Sequence, residues 1–293
     1  QRANGLSWDG GWQNPVWGFD VGETPIGFPV TNFIGGINYS GEIRHIGWTI
    51  TASQRPMTNS LLSFAGAKDP NTGIVWGGVV ATGLTLSLSY DRGEANGFWA
   101  NIIGSELTGK NVESNQRILL MDGYYYKLIN EDNRRFIVGL TNMVWHYDKN
   151  LYGFNLGQGG YYSPDFYLSF TVPIDYRRRT ANWSYELGGT ITWSYATTKN
   201  IQNFPLPNLI PNFDNTQNSL QTGGNSTGYG YSILALLERR LGSHFIVGGL
   251  VDIQQSTDYT PSHVSLFLRY SFEGWQGNMD MPIIPLVPYS NFR

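Results

Sequence analysis

Residues 183–195 read Trp-Ser-Tyr-Glu-Leu-Gly-Gly-Thr-Ile-Thr-Trp-Ser-Tyr, and this alternation limits the possible folds more than any other feature of the chain. One side carries Trp183, Tyr185, Leu187, Gly189, Ile191, Trp193 and Tyr195. The other carries Ser184, Glu186, Gly188, Thr190, Thr192 and Ser194. Successive side chains of an extended backbone point to opposite faces, so a sustained period of two predicts a strand with one apolar and one polar face. Residues 166–176 repeat it: Phe166, Leu168, Phe170, Val172, Ile174 and Tyr176 alternate with Tyr167, Ser169, Thr171, Pro173 and Asp175. So do residues 263–272 and 80–90.

Two architectures use such strands. A soluble sandwich turns the apolar face to a core, whereas a transmembrane barrel turns it to lipid and the polar face to a wet lumen. Three features favour the barrel. The apolar stripes end in rings (Trp183, Trp193 and Tyr195, Phe166 and Tyr176, Tyr270 and Phe272), as an aromatic girdle requires. The strands run to about 10–13 residues, near the membrane-spanning length. The polar faces are Ser, Thr and Gly where a solvated surface carries Lys and Glu. The fold class expected is all-β, a transmembrane antiparallel outer-membrane β-barrel.

Thirteen strands are readable, roughly 5–12, 16–23, 31–40, 45–55, 79–90, 97–107, 116–129, 135–148, 165–176, 182–196, 227–239, 244–256 and 263–272. Short and long connections alternate. Asn130–Arg134, Arg177–Ala181 and Arg240–Ser243 are tight polar turns, while 56–78, 149–164 and 197–226 are long and rich in Gly, Pro and Asn. Outer-membrane barrels have short periplasmic turns and long extracellular loops. On that orientation the last strand descends to the periplasmic rim and Gln1 lies outside the cell. Thirteen is odd, whereas single-chain bacterial barrels are even-stranded. Either an odd number of upstream strands lies outside this chain, three making sixteen, or one strand is miscounted. Residues 1–272 form the expected barrel. Residues 273–293 form a tail with prolines at 282, 285 and 288, expected in the lumen or along the periplasmic mouth, with a disordered tail as the alternative. Its apolar residues Ile283, Ile284, Leu286 and Val287 need cover.

Composition narrows the function. Charged residues are 14% and the net charge is −3, which argues against a nucleic-acid binder. The absence of cysteine excludes thiol nucleophiles and Cys-ligated metals. No apolar run reaches the roughly 18–20 residues of a spanning helix. Strand parity gives the lumen-lining candidates Arg55, Arg117, Tyr167, Asp175, Arg177, Glu186, Glu238, Arg240, Asp252, Gln254 and Arg269, with Asp91, Lys127 and His263 beside them. Mixed signs serve first to satisfy one another across neighbouring strands. A nearly neutral lining also suits a hydroxyl-rich solute, since a phosphate path would show a one-sign basic ladder. Tyr161, Tyr162 and Tyr167 are candidates for stacking on sugar rings. His263 and Ser265 share a face, but the four histidines form no ligand cluster or catalytic set. No enzyme activity, cofactor or metal is expected.

The segments SLLSFAGAKDPNTGIVWGGV (60–79), LTGKNV (107–112), GYYYKLINEDNRRF (123–136), NMVWHYDKNL (142–151), LGQGGYYSPDFYLSF (156–170) and DYTPSH (258–263) closely resemble the C-terminal barrel of the BcsC family, the outer-membrane subunits of bacterial cellulose synthase. The resemblance implies sixteen strands behind a periplasmic array of tetratricopeptide repeats, which has no counterpart here. It also implies a passive channel in the outer membrane of a Gram-negative cell, exporting a nascent glucan polymer, cellulose, received from an inner-membrane synthase complex. Outer-membrane lipid would be its surroundings. The competing readings are a diffusion porin for sugar uptake, with 197–226 narrowing the pore, and a plugged adhesin or assembly anchor.

Overall fold

The structure, a computed structural model, describes residues 4–256, 260 and 262–282. In chain order its strands are β1 (Asp9–Gln13), β2 (Trp17–Glu23), β3 (Phe33–Ile43), β4 (Ile46–Pro56), β5 (Ala67–Lys68), β6 (Val75–Asp91), β7 (Asn96–Lys110), β8 (Asn115–Glu131), β9 (Arg134–Tyr147), β10 (Phe166–Arg179), β11 (Trp183–Thr197), β12 (Ile201–Gln202), β13 (Leu220–Gln221), β14 (Asn225–Arg240), β15 (Phe245–Gln255) and β16 (His263–Tyr270). A short helix, α1 (Leu61–Ala65), follows β4. Thirteen strands make one wall in the order β1-β2-β3-β4-β6-β7-β8-β9-β10-β11-β14-β15-β16, each antiparallel to its neighbours. This is the up-and-down order that short turns between consecutive strands impose. Among the described residues β1 and β16 do not pair, so the barrel wall is not closed.

These thirteen correspond to the strands read from alternation, with ends moved by a few residues. The strand expected at 79–90 spans Val75–Asp91, and that expected at 227–239 spans Asn225–Arg240. The connection between β7 and β8 is only 111–114, because both strands extend past the expected edge; here the alternation of long and short connections fails. β5, β12 and β13 are two-residue strands inside long connections, where no period can be read.

The apolar stripes do not meet in a core. Leu84 is 60% exposed, Ile191 72% and Leu266 85%, and the stripe neighbours Val172, Ile233 and Val264 are likewise open. A continuous exposed band of this kind is the outer surface of a membrane-spanning barrel. Rings mark its short-turn edge: Phe136 and Tyr176 meet edge-on at 6.2 Å, while Tyr176 and Tyr185 at 6.1 Å and Phe245 and Tyr270 at 5.0 Å pack at tilted angles. Trp183 carries Arg239 over its face, while Phe170 and Trp193 stack within the band at 5.9 Å. Phe166 and Tyr195 stand near the long-loop end on the same face. β16 ends at Tyr270, so Phe272 lies beyond the strand, exposed and edge-on to Tyr270.

Among the described residues, a hydrophobic cluster of buried side chains sits at the long-loop end. It gathers Met57, Leu62, Ala67 and Trp76 from the 57–74 connection and its flank, Leu151, Leu156 and Tyr161 from the 148–165 connection, and Val79, Ala81, Leu107 and Tyr147 from the wall. Ala81, Leu107 and Tyr147 have the parity of the polar face, so this cap folds onto the inner side of the wall. Ser60 Oγ accepts a hydrogen bond from the Ser63 amide, and the Ser60 amide donates back to Ser63 Oγ, a capping box that starts α1. Gly77, at φ +99°, lets the chain pass α1 closely: a Cβ there would lie 2.4 Å from the Leu62 carbonyl oxygen.

Candidate functional site

The polar face of the wall is an ordered set of pairs. Near the long-loop end the Arg55 guanidinium donates to both Asp20 oxygens, at 2.6 and 2.7 Å, and Arg117 Nε donates to Ser105 Oγ at 3.1 Å. Asp252 accepts from Gln254 Nε2 at 2.8 Å and lies 3.7 Å from His263 Nδ1. At the short-turn end Lys127 and the Tyr125 hydroxyl both donate to Asp91. Arg177 bridges Asp175 at 2.8 Å and Glu186 at 3.1 Å, and Arg269 reaches Glu238 at 2.6 Å. Between these levels the face is hydroxyl: Ser40 with Thr49, Thr171 with Thr192, and Thr190 with Ser232 pair across strands at 2.7–2.8 Å. Every one of these groups projects opposite to the exposed apolar stripe of its own strand.

The structure separates the predicted residues into groups. Arg55, Asp175, Arg177, Asp252, Gln254 and Arg269 are half-buried in these pairs. Glu186 and Glu238 are almost wholly buried, and so is Ser184. What lies against Ser184 is the segment after β16. Its Oγ donates to the Asp280 carbonyl at 2.7 Å, and the Met279 amide donates to the Thr180 carbonyl at 2.9 Å. Arg240, the last residue of β14 in the wall, reaches this segment and donates to the Gly277 carbonyl at 2.6 Å. The first part of the tail is thereby tied to the short-turn end; Ile283, Ile284, Leu286 and Val287 lie outside the described residues.

Of the three loop and wall tyrosines expected to stack on sugars, Tyr161 is excluded. It is 1% exposed inside the cap, where Asn115 Nδ2 donates to its hydroxyl at 3.2 Å. Burial raises its phenol above the ordinary tyrosine value, which the Asn115 bond offsets only in part. Tyr162 and Tyr167 instead join Trp145, which parity also places on the polar face: Trp145 and Tyr167 are 5.0 Å apart, and Tyr162 lies 6.4 and 6.3 Å from the two. The register pairs Tyr167 with Trp145 directly across β9 and β10. Trp145 was legible from its strand, since Val144 and His146 flank it on the opposite face. His263 turns to Asp252, away from Ser265, whose Oγ has no hydrogen-bond partner among the described residues.

An exposed apolar band, an inner face of ions and hydroxyls, and a cap folded over one end together describe the wall of a membrane barrel. Residues 1–273 match the family described as Cellulose synthase operon protein C C-terminus. The chain belongs to this family. It is 54% identical over its whole length to the Cellulose synthase operon protein C of Salmonella typhimurium and to that of Escherichia coli K12. With the Cellulose synthase operon protein C of Xanthomonas axonopodis pv. citri it shares 31% identity over 88% of the chain. The chain spans 25%, 26% and 18% of these three relatives.

Proposed function

We propose that this chain is the barrel of a passive export channel in the outer membrane of a Gram-negative cell, carrying a nascent glucan, most simply cellulose, from periplasm to cell surface. The observation that carries this reading is the two-sided wall. Its apolar stripes are open to the outside, and among the described residues its inner face carries ions of both signs, most of them paired. The hydroxyl rows on β3–β4 and β10–β14 offer weak, exchangeable hydrogen bonds to a glucan, and the Trp145–Tyr162–Tyr167 cluster offers ring faces for pyranose C–H groups. Weak binding at many places lets a polymer advance without stalling. The lumen-lining residues are those of the inner face named above. The tail segment 273–282 occupies part of the periplasmic mouth, and the cap covers part of the exit. The push comes from polymer synthesis elsewhere, and the upstream tetratricopeptide repeats and inner-membrane synthase complex are the partners expected. No catalytic role is assigned.

Deleting the region corresponding to this chain in a cellulose-secreting cell is expected to abolish surface cellulose while synthase activity persists in membranes. Unchanged surface cellulose contradicts the reading. In planar bilayers, added cello-oligosaccharides are expected to block the current in a length-dependent manner. A sugar-uptake porin would instead pass mono- and disaccharides with no such dependence.

A further inference from the structure

On the outer face of the wall, at the short-turn end, the register sets Arg178 of β10 directly opposite Arg134 of β9. Like charges in directly opposed cross-strand positions destabilise a sheet unless something neutralises them. One row further in, the inner-face pair Arg177 and Arg135 stands beside Asp175 and Glu186, which neutralise Arg177. The outer pair has less. Arg134 meets Glu131 at 2.8 Å, but its Nε is buried without an acceptor, and among the described residues no carboxylate pairs with exposed Arg178. Next along the rim, Arg239 lies across from Trp183 with its guanidinium 4.9 Å from the ring centre and, among the described residues, no carboxylate partner. Three guanidiniums thus line the rim of four adjacent strands, just beyond the rings Phe136, Tyr176 and Tyr185 that close the apolar band.

From this geometry we propose that the Arg134–Arg178–Arg239 rim binds the phosphate of an anionic phospholipid headgroup. Guanidinium forks match phosphate oxygens in pairs, and a bound phosphate would relieve the opposed positive charges. A lipid is the source chosen over free phosphate because the site opens onto the exposed side chains of Ile174, Leu187 and Leu237, along which acyl chains would lie. Trp183 fits the headgroup level, where indoles of membrane proteins settle.

Native mass spectrometry of the full-length protein, extracted in detergent, tests this with added phosphatidylglycerol, phosphatidylcholine or inorganic phosphate. The expected result is about a tenfold preference for phosphatidylglycerol over phosphatidylcholine, from the attraction of two or three arginines to net negative charge. It should fall to parity in Arg178→Gln/Arg239→Gln, survive largely in Arg178→Lys, and resist excess inorganic phosphate. Heat-modifiable migration on gels verifies that each variant is folded, and Arg178→Lys keeps the test open if the double variant is not. Equal retention of the two lipids, unchanged preference in the double variant, or displacement by inorganic phosphate overturns the proposal.

Discussion

Glu238 is a carboxylate held 1% exposed on the inner face, and the Arg269 guanidinium at 2.6 Å is its only ion-pair partner among the described residues. Removing one member of such a pair leaves the other buried and uncompensated. Arg269→Met is therefore expected to lower unfolding stability by about 2–4 kcal/mol. Combining it with Glu238→Gln should restore most of that loss, as urea titration of the refolded barrel would show. Tyr161 gives a pH prediction of definite sign. Its folded phenol is raised by burial, so the cap's stability is full below the ordinary tyrosine value of about 10 and declines as pH rises beyond it. Protease cleavage within 57–74 should accelerate above that pH, and Tyr161→Phe should lessen the acceleration. At this scale parity alone was informative. It placed Asp175, Arg177 and Glu186 on one face, where they form one network. It could not name Asp20 as the partner of Arg55, because that contact skips from β2 to β4 across β3 and depends on register.

Elements divide into those that carry their own period and those that do not. β11 and β10 repeat apolar and polar positions over most of their length, and their strands were legible without a partner. α1 has five residues, and β5, β12 and β13 two each, too few for any period to show. Their positions come from tertiary packing in the cap, which is why Tyr161 read as an accessible loop ring and is in fact a core residue. The Gln158 amide donating to the Gln202 carbonyl at 2.7 Å joins two loops 44 residues apart, a contact no local pattern announces. The cap also sets a test. Gly77→Ala forces a Cβ toward the Leu62 carbonyl from a left-handed backbone, at a cost of about 1–3 kcal/mol. Loosening the cap in this way is expected to raise single-channel conductance, whereas unchanged conductance would mean that the cap does not limit the exit.

For the whole molecule, the side chains that would form the core of a sandwich are its outer surface. The groups that would face water on a sandwich are instead paired with one another on the inner side. The short-turn end is fastened to the first part of the tail through Arg240 and Ser184, and the cap packs on the inner side of the wall at the long-loop end, so both ends carry structure of their own. Export, lumen lining and the lipid site all depend on which way the wall faces. The chain lacks cysteine, so single cysteines can be placed without a background. Spin labels at Ile191, Ile233 and Leu266, and at their neighbours Thr190, Ser232 and Ser265, can be read in lipid vesicles for collision with oxygen, which partitions into hydrocarbon, and with a water-soluble nickel chelate. The first set should respond to oxygen and the second to the chelate, alternating residue by residue. Protection of the first set from both agents, or its response to the chelate, would contradict the account.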